Sequence, residues 1–123
     1  MPGHKRPDRL RGRAQFEAVL VHPAGIARGR YFIVRVSRGT GPAARLGIVA
    51  ARKVIRRAVD RSTSKRIVRE AFRGHTRDLA GIDIVVVCRA AVPRGRRREA
   101  RQELDRMLPQ LAEASARQAC RPR

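Results

Sequence analysis

A single α+β domain is predicted for this chain from three observations. Its 123 residues suffice for one core and not for two. Hydrophobic residues make up 42% of them, too many for a disordered basic tail. The hydrophobic period switches several times along the chain, between helical spacing and strand-like runs. One domain is therefore expected over residues 1–123. Its ends, residues 1–8 and about 117–123, read as frayed, disordered basic tails.

The elements follow in order. Residues 9–21 read as a short helix, because Phe16, Val19 and Leu20 fall at i, i+3 and i+4. His22-Pro23-Ala24-Gly25 stops it. A weak strand signal lies at residues 26–30. Residues 31–36, rich in β-branched and aromatic side chains, are a clearer strand. Gly39-Thr40-Gly41-Pro42 has turn chemistry. Residues 45–51 form the next strand, expected to pair with the preceding one as a hairpin. Residues 56–73 turn helical, and Gly74 suits a helix stop. Residues 81–89 hold the strongest apolar run, a buried strand. Pro93-Arg94-Gly95 breaks the chain. Residues 97–119 then carry a helical stripe of Ala100, Leu104, Met107, Leu108 and Leu111. Pro109 sits inside it, so a kink or two shorter helices are expected.

Charge narrows the function. Lys and Arg number 30 against 10 Asp and Glu, a formal net charge of +20. Such an imbalance points to a polyanionic partner. No apolar run approaches the roughly 20 residues of a membrane span, so no membrane partner is expected. The N-terminal segment lacks the apolar core of a secretory signal. Two cysteines, Cys88 and Cys120, make neither a disulfide framework nor a metal quartet. A reducing cytoplasmic location fits both.

The most informative stretch is residues 51–73. It holds Arg52, Lys53, Arg56, Arg57, Arg61, Lys65, Arg66, Arg69 and Arg73, against only Asp60 and Glu70. On a helix at about 100° per residue, Ser64, Ile67, Val68 and Ala71 share one side, with Phe72 at its edge. Arg61, Lys65, Arg69 and Arg73 succeed one another at i+4. They form a ridge beside the apolar stripe, with Arg66 close by and Ser62 projecting into it. Like charges at this spacing cost a few tenths of a kcal/mol each in an isolated helix. Phosphates remove that repulsion as their condensed counterions leave. A solvated basic face is the plain alternative. The low acid count and the one-sidedness favour a nucleic-acid surface. Aromatic residues are few: Phe16, Tyr31, Phe32 and Phe72. Core packing suits most of them better than base stacking, with Phe16 suited to both.

No catalytic constellation is visible. His4, His22 and His75 are scattered, no Cys or carboxylate spacing suggests zinc, and no Gly-rich phosphate loop is present. Asp60 and Glu70 lie too far apart along a helix to act as an acid–base pair. Any chemistry here is expected to come from a partner.

Residues 45–73 resemble the protein subunit of bacterial ribonuclease P. That family carries an Arg-Leu-Gly strand, a Lys-containing loop and a helix of pattern Ala-x-x-Arg-Asn-Arg-x-Lys-Arg-x-x-Arg-Glu-x-Phe-Arg. This chain has Arg45-Leu46-Gly47, Lys53, then Ala58, Arg61, Lys65-Arg66, Arg69-Glu70, Phe72 and Arg73 at matching spacing. Lys53-x-x-Arg56-Arg57-Ala58 is similar to the loop of some proteobacterial members. Phe16, the strand 82–87 followed by Arg89, and the total length fit more loosely. One departure stands out: Arg61-Ser62-Thr63 occupies the place of Arg-Asn-Arg, which removes one charge.

The resemblance implies a two-layer α/β sandwich with a mixed central sheet, similar to the second domain of ribosomal protein S5. It implies a left-handed βαβ crossover, an exception to the usual hand, with the basic helix on it. It also implies a large catalytic RNA as partner, with one protein per RNA. That RNA would bind the Mg2+ ions, leaving no metal ligand and no catalytic residue on this chain. The substrate would be precursor tRNA, its 5′ leader lying in a groove between sheet and helix near Phe16 and Phe32. The reaction would be hydrolysis of one phosphodiester to give the mature tRNA 5′ end. Phe16, Arg52, Lys53, Arg56, Arg57, Arg61, Ser62, Lys65, Arg66, Arg69 and Arg73 would contact RNA. A ribosomal or other structural RNA-binding protein without a catalytic partner is the alternative. It shares charge, size and fold class, and only the helix motif separates the two.

Overall fold

A computed structural model describes residues 13–21, 23–39 and 41–119. Residues 1–8 lie outside that set. On the C-terminal side the last helix runs through Ala119, so only 120–123 of the expected tail fall outside.

The chain folds as α1 (Arg13–Val21), β1 (Gly25–Arg28), β2 (Phe32–Arg38), β3 (Arg45–Val49), α2 (Ala58–Gly74), β4 (Ile82–Cys88) and α3 (Arg97–Ala119), with one 3-10 turn at Arg94–Arg96. The four strands make a mixed sheet of order β1-β2-β4-β3. Pairing is antiparallel between β1 and β2 and between β2 and β4, and parallel between β3 and β4. The β3–α2–β4 segment is thus a crossover unit between adjacent parallel strands. β3 does not pair with β2, contrary to the hairpin expected from their proximity in sequence. β4 takes the place between them because it is apolar on both faces and buried almost throughout. Such a strand suits an interior position where helices cover the sheet on both faces.

Alternation distributes the strands between two faces. Phe32, Val34 and Val36 of β2, Leu46 of β3, and Ile84, Val86 and Cys88 of β4 face α2 and α3 in the main core. α2 contributes Ile67, Val68, Ala71 and Phe72, the stripe its sequence spacing marks. α3 contributes Ala100, Leu104, Met107, Leu108 and Leu111, also as its spacing marks. This two-layer packing is the body of the molecule. The short α1 adds partial cover on the opposite face, where Val19 meets Val85 beside Phe16, Leu20, Val49 and Val87. Arg35 reaches across to donate from Nη1 to the Leu20 carbonyl at 3.0 Å, on the last turn of α1.

α3 is one continuous helix with Pro109 inside it. The Pro109 ring nitrogen carries no hydrogen, so the Asp105 carbonyl lacks its helical donor there. Gly81, at φ +77°, makes the left-handed turn into β4.

Two buried carboxylates pin the sheet. Asp83 opposes Arg45 in the β3–β4 register, and the guanidinium donates from Nε to Oδ1 and from Nη2 to Oδ2, both at 2.8 Å. That hydrogen bonding raises the Arg45 pKa above its ordinary value. Glu103 of α3 accepts from the backbone N–H groups of Arg30, Tyr31 and Phe32 at 2.8, 3.0 and 2.9 Å. It thereby closes the turn between β1 and β2. A Cβ at Gly29 would collide with this carboxylate.

Candidate nucleic-acid interface

The basic surface is assembled by the segment that leaves β3. The Ala51 carbonyl accepts from the N–H groups of Val54 and Ile55 at 3.1 and 2.9 Å, which folds residues 51–55 into a tight turn. Ile55 is buried and anchors it, while Arg52 and Lys53 stand exposed on its outer side. Arg56 and Arg57, also exposed, lead into α2. Asp60 lies in the first turn, where a carboxylate suits the helix dipole, 4.0 Å from Arg57 Nε.

Along α2 the buried stripe fixes the rotation of the helix and hence the direction of the cations. Ser62, Lys65, Arg66, Arg69, Glu70 and Arg73 line an open recess of about 600 Å³. Lys65 and Arg69 are half-buried; Ser62, Arg66 and Arg73 are exposed. No carboxylate lies within ion-pair distance of Lys65, Arg66, Arg69 or Arg73 among the described residues. The recess is open, cationic and unpaired, the arrangement that accepts phosphate oxygens. Lys65 also acts on the core side. Burial pushes the Cys88 thiol up to about 11, and the Lys65 ammonium pulls it partly back.

The structure brings together Ser62, Lys65, Arg66, Arg69 and Arg73, with Arg52, Lys53, Arg56 and Arg57 on the adjoining loop. Arg61 departs from the expected ridge. Its Nη1 donates to the carbonyls of Ile55 and Arg56, both at 2.9 Å, so the guanidinium turns back and laces the loop to the helix. Those carbonyls precede the helix and lack helical donors, which draws the nearest cation onto them. Phe16 lies on the other face of the sheet, half-buried, its ring filling the space a Cβ would take at Gly47. Phe32 is fully buried on the α3 side and lines no groove, which corrects its expected position near a leader path. Its place in β2 puts it on the same face as Val34 and Val36. Tyr31 and Phe72 are buried as well, Tyr31 beneath the Arg30 guanidinium at 5.7 Å.

Sequence reasoning missed one feature. Across from α2, Arg97, Arg98 and Arg101 of α3 face Ser62, Thr63 and Arg66 over a cleft of about 1000 Å³. The signal was present as the run Arg96-Arg97-Arg98, but helical periodicity alone assigns it only to the start of a helix.

Fold and surface together define a small, strongly basic α+β protein with a helix that carries an unpaired cationic face. The family model described as Ribonuclease P matches residues 4–112. A ribonuclease P protein component from Thioalkalivibrio sulfidiphilus is 43% identical over 81 residues, 66% of this chain and 68% of that protein. One from Alcanivorax borkumensis is 36% identical over 115 residues, 93% of each chain. The solved ribonuclease P protein of Thermotoga maritima superimposes with a TM-score of 0.65 at 30% identity, covering 83% of this chain and 96% of that one. A Staphylococcus aureus ribonuclease P protein mutant shares the fold, with a TM-score of 0.66 at 22% identity over 89% of each chain. This chain belongs to the ribonuclease P protein component family.

Proposed function

We propose that this chain is the RNA-gripping subunit of ribonuclease P, acting in tRNA processing. In this reading α2 binds a large catalytic RNA, one protein per RNA, and the complex takes precursor tRNA as substrate. The observation that carries it is the unpaired row of Lys65, Arg66, Arg69 and Arg73 held outward by the buried side of the same helix. Each phosphate neutralised there releases counterions, which supplies affinity without base recognition. Arg52, Lys53, Arg56 and Arg57 extend the contact along the loop that Arg61 holds in shape. Phe16, on the α1 side of the sheet, is the aromatic residue offered to a single-stranded 5′ leader.

Hydrolysis of the phosphodiester belongs to the RNA partner in this reading. Magnesium chemistry there would stabilise the transferring phosphate oxygens. Among the described residues, the carboxylates near the basic surface do not fit a Mg2+ site of their own. Asp60 sits beside Arg57, Asp105 is held by His75 and Arg101, and Glu70 stands among arginines. The protein's share is to bind and to hold RNA in register. A cytoplasmic location follows from the same reading. No helix of the described residues is long and apolar enough to cross a membrane.

The test is reconstitution with the cognate ribonuclease P RNA, assayed on precursor tRNA. The reading predicts mature 5′ ends from the complex and none from the protein alone. Site-specific cleavage by the protein alone, or copurification with ribosomal RNA and no effect on the catalytic RNA, would contradict it.

A further inference from the structure

We propose that the cleft between α2 and α3 is a second phosphate-binding site, in which Arg97 and Arg98 supply the positive charge absent at Thr63. The proposal rests on the reading of this chain as an RNA-binding subunit. Its ligand is a phosphodiester of the RNA backbone.

Three observations converge on it. Thr63 stands where the helix pattern quoted above has arginine, and it lines the cleft. Its hydroxyl donates to the Val59 carbonyl at 2.9 Å, so it offers the cleft neither charge nor a free proton. The opposite wall carries Arg97 and Arg98.

Pairing separates these two from their neighbours. Arg96 is bound to Glu99 at 3.0 Å, and Arg101 to Asp105 at 3.2 Å. No carboxylate lies within ion-pair distance of Arg66, Arg97 or Arg98 among the described residues. Asp105 is further engaged by His75 at 3.0 Å. The cleft therefore presents three unpaired guanidiniums, Arg66, Arg97 and Arg98, against two carboxylates, Glu70 and Asp105, of which Asp105 is already engaged by Arg101 and His75.

Position on the helix adds an independent point. Arg97 and Arg98 occupy the first turn of α3, the positive end of its dipole. A cation is disfavoured there, so helix stability gives no reason for two of them. An anion held in the cleft would relieve the repulsion between guanidiniums and dipole together. Paired guanidinium forks suit the oxygens of a phosphodiester, and arginine presents that fork ready-formed.

The experiment compares the full-length protein with Arg97→Ala/Arg98→Ala, with the same double substitution plus Thr63→Arg, and with Lys65→Ala/Arg69→Ala. Binding to the cognate ribonuclease P RNA is measured across a salt series, and thermal midpoints are taken by circular dichroism. Loss of two phosphate contacts should weaken binding about tenfold and lower the log–log salt slope by about 1.4–1.8. The midpoint of Arg97→Ala/Arg98→Ala should hold or rise, since two cations leave a helix N-terminus. Thr63→Arg in that background should recover most of the lost affinity from the opposite wall. Parental affinity and slope in Arg97→Ala/Arg98→Ala, alongside weakened Lys65→Ala/Arg69→Ala, would overturn the cleft and leave the α2 recess standing. A parent that binds no RNA would remove the functional reading itself, and the cleft with it.

Discussion

The charges of this molecule fall into two populations that differ in how they are answered. Asp83 and Glu103, the buried carboxylates among the described residues, have every near demand met. Asp83 faces the Arg45 fork, and Glu103 collects three backbone N–H groups. On α2 and the first turn of α3, by contrast, Lys65, Arg66, Arg69, Arg73, Arg97 and Arg98 have no carboxylate within ion-pair distance among the described residues. A buried charge without a partner costs several kcal/mol, so the first population is fixed by folding. Exposed like charges cost only tenths each, so the second survives folding unpaired and stays free for a ligand. The difference separates residues that make the structure from residues that use it.

Substitutions sharpen that division, and the largest effect belongs to the buried set. Glu103→Leu leaves three backbone donors at the β1–β2 turn without an acceptor. It should cost on the order of 3–5 kcal/mol in denaturant unfolding, read as a lower midpoint at constant m. Val68→Ala follows, a truncation under the sheet of a fully buried side chain, at about 1–3 kcal/mol. Arg61→Ala tests a residue that stands between the populations. Loss of its bonds to Ile55 and Arg56 should cost about 1 kcal/mol, with faster hydrogen exchange confined to residues 51–57. Unchanged exchange there would return Arg61 to the ligand-facing set. The smallest effect is expected at Cys88. Its thiol is buried and pushed up to about 11, so the thiolate is scarce near neutral pH and gains weight only as pH rises towards that value. Mass mapping after alkylation at pH 8 should find Cys88 unmodified in the folded protein.

The same division explains what could be read in advance. The α2 stripe of Ser64, Ile67, Val68, Ala71 and Phe72 was legible because helical spacing lies wholly within one short segment. The outward set Lys65, Arg66, Arg69 and Arg73 follows from it by elimination. β4 was legible from its apolar run alone. The partner of β3 was not, because sheet order depends on which strand best fills the centre, a comparison between distant segments. The Glu103 clamp joins residues more than 70 apart in sequence, and no local pattern encodes it. The reach of Arg61 to the Ile55 carbonyl was hidden for another reason. Periodicity gives the direction of a side chain's base and says nothing of where a long guanidinium ends. Strand spacing suited Phe32 to the core, where it lies; only the resemblance placed it near the leader groove, and the register of β2 turns it to the buried face instead.

The central claim is that the α2 cations form a polyanion site already shaped in the free protein. A thermal melt in chloride and in sulfate at matched ionic strength tests it, run on the parent and on Lys65→Ala/Arg69→Ala. Screening acts alike in both salts at a Debye length of about 10 Å in 0.1 M monovalent salt. Sulfate also strengthens burial generally, and the doubly substituted protein measures that part. Site binding adds RT ln(1 + [L]/Kd) only where the site exists. The prediction is a larger sulfate-induced rise in midpoint for the parent than for Lys65→Ala/Arg69→Ala. An equal rise in the two proteins would contradict a preformed anion site on α2.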